Sequence, residues 1–174
     1  TMGAWRALEE AQQAGKIRSI GVSNFYADQL KNLELTMNVK PVINQIEVNP
    51  WYQQPTEVAF NQGEDIRVEA WAPFAEGKHD IFTNETIAGI AQAHGKTVGQ
   101  VILRWLLQRG ITVIPKSVHA ERMAENIDVF DFELTPAEMT TMAALDRQES
   151  QFFDHRDPVT IEQIFGSSLK QLKE

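Results

Sequence analysis

An α/β protein built on a parallel sheet is what this sequence predicts, and three observations predict it. Strand-like and helix-like segments alternate from one end to the other. The helical segments carry start and stop signals, and the strand-like segments are short apolar runs closed by turn residues. Alternating β and α units imply parallel strands joined by right-handed crossovers, and such a sheet must be covered on both faces or closed into a barrel.

The elements follow in order. The chain enters on an amphipathic helix in which Ala4, Trp5, Leu8 and Ala11 share one face, and Gly15 is placed to terminate it. Residues 18–22 read as a first strand, after which Ser23 and Asn24 open a helix running through Gln29, Leu30, Leu33 and Leu35. A second strand covers 41–48 and is closed by Asn49 and Pro50. A helix over 56–64 leads to a third strand over 65–71, ended by Pro73, and 75–78 is loop. Two helices follow, 85–94 stopped by Gly95 and 98–109 stopped by Gly110. Thr97 with Gln100 is a capping box at the start of the second of these. The fourth strand is 112–115 and its helix 120–126. A second capping box, Thr135 with Glu138, has Pro136 at the first helical position and starts a helix to about Leu145. The remainder to Glu174 is a tail with a helix around 160–172. The whole is one unit, with βα repeats over 1–131 and a C-terminal helix and tail over 132–174.

Composition excludes several classes. The 174 residues fit one domain, and 43% apolar with 23% charged content is ordinary for a globular protein. A net charge of -8 excludes a nucleic-acid partner, which needs a basic face. No apolar run reaches the roughly 20 residues that span a bilayer, so no membrane partner is expected. The chain has no Cys, and its four His lack metal-ligand spacing, so no metal is expected and a reducing cytoplasm is.

Chemistry on such a scaffold collects where strands end. After the first strand stand Ser23 and Asn24, which on their own read as a helix N-cap. The second strand holds Asn44, Gln45 and Glu47, polar groups in a segment that should be buried, serving either a structural network or a ligand. The third ends in Trp71-Ala72-Pro73-Phe74, an aromatic that is core or ring platform. After the fourth strand, Lys116 and Ser117 lead to Arg122, Glu125 and Asn126. Two cations and a hydroxyl thus gather at a helix N-terminus, where free N–H groups and the dipole favour a phosphate.

Five runs together resemble the aldo-keto reductase family: GKIRSIGVSNF (15–25), NQIEVNPW (44–51), EAWAPF (69–74), LRWLLQRG (103–110) and IPKSVHAERMAEN (114–126). The resemblance covers nearly the whole chain, in order, and points to a bacterial diketogluconate-reductase-like branch. It implies that the four strands are strands five to eight of a (β/α)8 TIM barrel, making this chain its C-terminal half. It implies NADPH as cofactor and a small aldehyde or ketone as substrate. By the same resemblance Ser23, Asn24 and Gln45 hold the nicotinamide carboxamide, and Trp71 stacks on its ring. Lys116, Ser117 and Arg122 grip the 2′-phosphate and adenine, with Glu125 and Asn126 near the adenine. Ala72, Phe74 and Val118 complete the cofactor-binding set. His119 stands where many relatives carry an Arg, which weakens the expected phosphate grip.

No catalytic residue is assigned. The family's Asp, Tyr, Lys and His come from the first half of its barrel, and no segment here matches them. Of the two tyrosines, Tyr26 and Tyr52, Tyr52 falls on the loop after the second strand with no Lys placed to tune it, and both read as packing or loop residues. The tail also looks like the family's C-terminal segment, with Phe153 and His155 beside Trp51 as pocket residues or as pins for the tail. The expectation is therefore a truncated reductase, inactive alone. Its exposed strand edges and interior apolar residues would be covered by a missing N-terminal half or by self-association. The alternative is a non-catalytic cofactor-binding or structural member of the same fold. A stand-alone doubly wound domain is a third reading, against which stands the lack of a G-x-G-x-x-G turn after any strand.

Overall fold

The computed structural model describes residues 2–171. Helix α1 (Met2–Gln13) leads to strand β1 (Val22–Ser23), α2 (Ala27–Thr36), β2 (Ile43–Glu47), α3 (Pro55–Gly63) and β3 (Arg67–Trp71). There follow α4 (Glu85–His94), α5 (Val98–Gln108), β4 (Thr112–Val113), α6 (Ala120–Ile127), α7 (Pro136–Ala143) and α8 (Pro158–Gln171). Leu172, where the last helix was expected to end, lies outside the described residues. The four strands form one sheet in the order β1-β2-β3-β4, and every pair is parallel. The expected alternation is thus observed, element for element.

Local chemistry explains most boundaries. The Thr97–Gln100 and Thr135–Glu138 capping boxes both form, and Gly95 closes α4 in the left-handed conformation at φ 62°. Three readings are corrected. Ser23 and Asn24 do not cap α2. The N-cap position falls at Tyr26, whose backbone N–H donates to Gln29 Oε1 at 2.9 Å, because Asn24 is held at φ 56° and cannot enter a helix. The outer strands are shorter than expected. In β4 the ladder stops before Pro115, which has no N–H to offer. At β1 the chain approaches β2 so closely that a Cβ on Gly21 would collide with the Ile43 side chain. Finally, Leu8 is exposed, so the packing face of α1 reduces to Trp5, whose indole N–H donates to Val39 O at 3.0 Å.

The two faces of the sheet differ. Ile46, Val68 and Ala70 join Val58, Ile87, Val101, Ile102, Trp105 and Leu106 from α3, α4 and α5 in the main core. Leu134 and Met142 bring α7 and its approach into the same cluster. Alternation turns Ser23, Gln45, Glu47, Arg67, Glu69, Trp71 and Thr112 to the other face, where no helix of the core lies. That face was expected to expose mainly apolar residues, but apart from Ile43 and Trp71 its β2 and β3 positions are polar. The edges of β1 and β4 are unpaired among the described residues.

Candidate functional site

Parallel strands bring all four C-terminal ends to one edge of the sheet, so the expected site residues share that edge. They form two groups. The first is a connected network at the ends of β1, β2 and β3. Ser23 Oγ donates to Gln45 O at 3.0 Å, and the Asn24 N–H donates to the same carbonyl at 2.9 Å. Gln45 Nε2 donates to Glu69 Oε1 at 2.6 Å, and Trp71 Nε1 donates to Asn24 Oδ1 at 2.8 Å. The left-handed turn at Asn24 is what aims its amide at the indole. Glu69 is the member the sequence did not reveal, because strand alternation gives its face but not its register partner, Gln45. Asn44 points to the covered face and bonds Asn61 and the Phe25 carbonyl, a structural role.

The second group surrounds a cavity of about 680 Å³ lined by Phe74, Lys116, Ser117, Val118, Arg122, Glu125 and Asn126 among others. Helices α4, α5 and α7 have side-chain caps from Asn84, Thr97 and Thr135. Helix α6, like α2 and α3, begins without one: its N-cap residue His119 supplies none. Ser117 Oγ accepts from the His119 N–H at 3.1 Å and fixes the turn before the helix. Free N–H groups of the first turn, with Lys116 and Arg122 exposed beside them, make an anion-favouring corner. Ala72 lies between the groups at φ 48°, where the chain leaves β3 for Phe74.

Tail residues pack against Trp71 of the first group. The Phe152 ring lies 5.1 Å from Trp71 and that of His155 lies 6.2 Å from it, while Phe153 meets His155 at 4.4 Å. Of the expected pocket trio, Phe153 and His155 line a cavity beside the tail, whereas Trp51 is corrected: it is buried at 2% exposure under Arg147. That cavity, of about 410 Å³, opens between the tail and β2, with Tyr26, Tyr52, Glu47 and Phe152 in its walls. Burial pushes the Tyr52 phenol up to about 12, with Tyr26 and Glu47 adding to the effect. Burial and then Asp154 also raise Tyr26. A phenol that donates a proton to a forming alkoxide needs the opposite shift. Burial lowers the pKa of His155, against the attraction of Glu47 and Asp154.

Residues 2–147 match the model of the Aldo/keto reductase family. Glyoxal reductase of Bacillus subtilis (strain 168) is 44% identical over 145 residues, which are 83% of this chain and 52% of that protein. Methylglyoxal reductase DkgA of Escherichia coli (strain K12) is 44% identical over 144 residues, with 83% and 52% covered. Among solved structures, apo Gox0644 superposes with a TM-score of 0.81 at 41% identity, over 86% of this chain and 55% of that one. A Bombyx mori aldo-keto reductase crystallised with NADP gives a TM-score of 0.81 at 37% identity, over 91% and 53%. The chain spans about half the length of the curated relatives it matches.

Proposed function

The chain belongs to the aldo/keto reductase family, and from that premise we propose that it is the cofactor-binding half of an NADPH-dependent reductase of small aldehydes or ketones. Its four strands correspond to strands five to eight of a (β/α)8 barrel, in the branch that includes the diketogluconate and methylglyoxal reductases. One observation carries the cofactor assignment. The uncapped α6 N-terminus with Lys116, Ser117 and Arg122 opens on the same sheet edge as the Ser23–Asn24–Gln45–Trp71 network.

The residues present fit such a cofactor. Lys116, Ser117 and Arg122 hold the 2′-phosphate by charge-assisted hydrogen bonds, and Glu125, Asn126 and Val118 line the adenine side. Ser23, Asn24 and Gln45 present amide and hydroxyl groups to a carboxamide, and Trp71 offers a flat ring whose position the Asn24 bond sets. Ala72 and Phe74 connect the two ends. When bound, the reduced nicotinamide supplies hydride to a carbonyl carbon. This chain's residues bind and orient; the proton for the resulting alkoxide comes from the family's Asp, Tyr, Lys and His, which no segment here provides. The raised pKa values of Tyr26 and Tyr52 support that division.

Titration with NADPH and NADH, followed by tryptophan emission, tests the assignment. Saturable quenching with NADPH tighter than NADH is expected, and no turnover of glyoxal or methylglyoxal by this chain alone. The absence of saturable NADPH binding would overturn the site. Binding without carbonyl turnover when the complementary half is supplied would favour a non-catalytic member of the fold.

A further inference from the structure

We propose that Glu47 is a positioning residue that, through Ser150, seats tail residues 150–156 across the open face of the sheet and makes Phe152 and His155 a fixed wall against Trp71. Its functional meaning rests on the reading of Trp71 as a ring platform; the seating itself does not.

Glu47 and Trp71 are register partners at the ends of β2 and β3, so their side chains stand side by side on the open face. Glu47 is nonetheless buried, at 3% exposure, and a carboxylate so placed must find donors. The tail provides two of them. Ser150 Oγ donates to Oε2 at 2.6 Å, and the Gln151 N–H donates to Oε1 at 3.0 Å, where Asn49 Nδ2 also donates at 3.0 Å. Every bond around Ser150 has a forced direction. Its oxygen accepts from the Phe152 and Phe153 N–H groups, both at 3.1 Å, so its one proton goes to the carboxylate. The carboxylate thus orients the hydroxyl, the hydroxyl closes the turn, and the turn sets the Phe152 ring against Trp71. Outside that turn, Lys78 Nζ lies 3.9 Å over the Phe152 ring, and the Arg156 guanidinium lies 3.5 Å over Tyr26. The result is one wall with a set distance from the Trp71 ring. Ring centroids 5.1 Å apart are in contact, so a flat group can meet Trp71 only on the part of its ring that Phe152 and His155 leave uncovered.

The tryptophans make this measurable. Trp5, Trp51 and Trp105 are buried at 1–3% exposure, whereas Trp71 is half-buried, so acrylamide quenching of the chain's emission reports chiefly on Trp71. Losing the charge-assisted bond in Ser150→Ala or Glu47→Gln should raise the open-to-closed ratio of the tail about tenfold, read as stronger quenching at an unchanged thermal midpoint. Ser150→Thr, which keeps the hydroxyl, should quench like the parent. Phe152→Ala, which removes the cover directly, should quench like Ser150→Ala. Parent-like quenching in Ser150→Ala would overturn the proposal, as would parent-like quenching in Phe152→Ala. A fall in thermal midpoint with quenching of all four tryptophans would show general loosening and overturn it too. No cofactor enters this experiment, so failure of NADPH to bind would sink the proposed function and leave the seating of the tail standing.

Discussion

The two ends of the proposed cofactor site are built in opposite ways. At the β1–β3 end, Ser23, Asn24, Gln45, Glu69 and Trp71 are tied to one another or to backbone at 2.6–3.0 Å. At the α6 end, Lys116 and Arg122 are exposed and form no ion pair among the described residues. The difference goes with exposure: Asn24, Gln45, Glu69 and Trp71 are half-buried, and Ser23 is the one exposed member of that group. A polar group partly withdrawn from water gains by pairing within the protein whether or not a ligand is present, whereas an exposed cation is satisfied by solvent and can exchange it for a phosphate at little cost. The first end is preorganised and linked to the fold; the second is available and nearly independent of it.

The contrast can be broken at several places. The largest effect is expected at the open end. A Lys116→Ala, Arg122→Ala double variant should weaken NADPH binding on the order of a hundredfold or more, with little change for NADH. Equal losses for both cofactors, by fluorescence titration, would remove the 2′-phosphate from the assignment. Trp71→Ala should weaken both cofactors by about tenfold, since stacking on an aromatic ring contributes roughly 1–3 kcal/mol. Stability separates the ends most directly. Gln45→Leu leaves the Glu69 carboxylate without its donor and should cost about 1–3 kcal/mol, whereas Lys116→Met should stay within about 0.5 kcal/mol, both by denaturant unfolding. Similar costs for the two would erase the distinction.

The smallest effect is a pH dependence at the tied end. The folded pKa of His155 lies below its unfolded value, so the tail's contribution is complete above the unfolded pKa, about 6.5, and is lost as pH falls through the lower folded value. Acidification should therefore increase acrylamide quenching of Trp71, and His155→Phe should flatten that rise. Glu47 and Asp154 face the imidazole and oppose the shift, which keeps the effect modest.

Much of this was legible in the sequence, for reasons that are local. Thr97, Gln100, Thr135 and Glu138 announce helix starts because a capping box is complete within four residues. The Lys116–Asn126 group is visible because strand end, turn and helix are consecutive. What could not be read depends on register or on distance along the chain. Gln45 meets Glu69 only through the pairing of β2 with β3. Asn24 reads as a cap because nothing nearby signals that Trp71, 47 positions on, claims its side chain. Phe152 and Phe153 are adjacent and alike, and only the turn around Ser150 decides which of them faces the sheet.

The strand order also fixes a sequence of assembly. Each strand pairs only with the one before and after it in the chain, so every βα unit can dock on its predecessor as it is synthesised, with short loop closures throughout. The bonds from Ser150 and Gln151 to Glu47 span 103 and 104 positions and cannot form until the sheet is finished. Until then the Glu47 carboxylate keeps its water, and the arrival of the tail is the event that dries that end of the face. A segment made after all four strands is thus the one that closes the site.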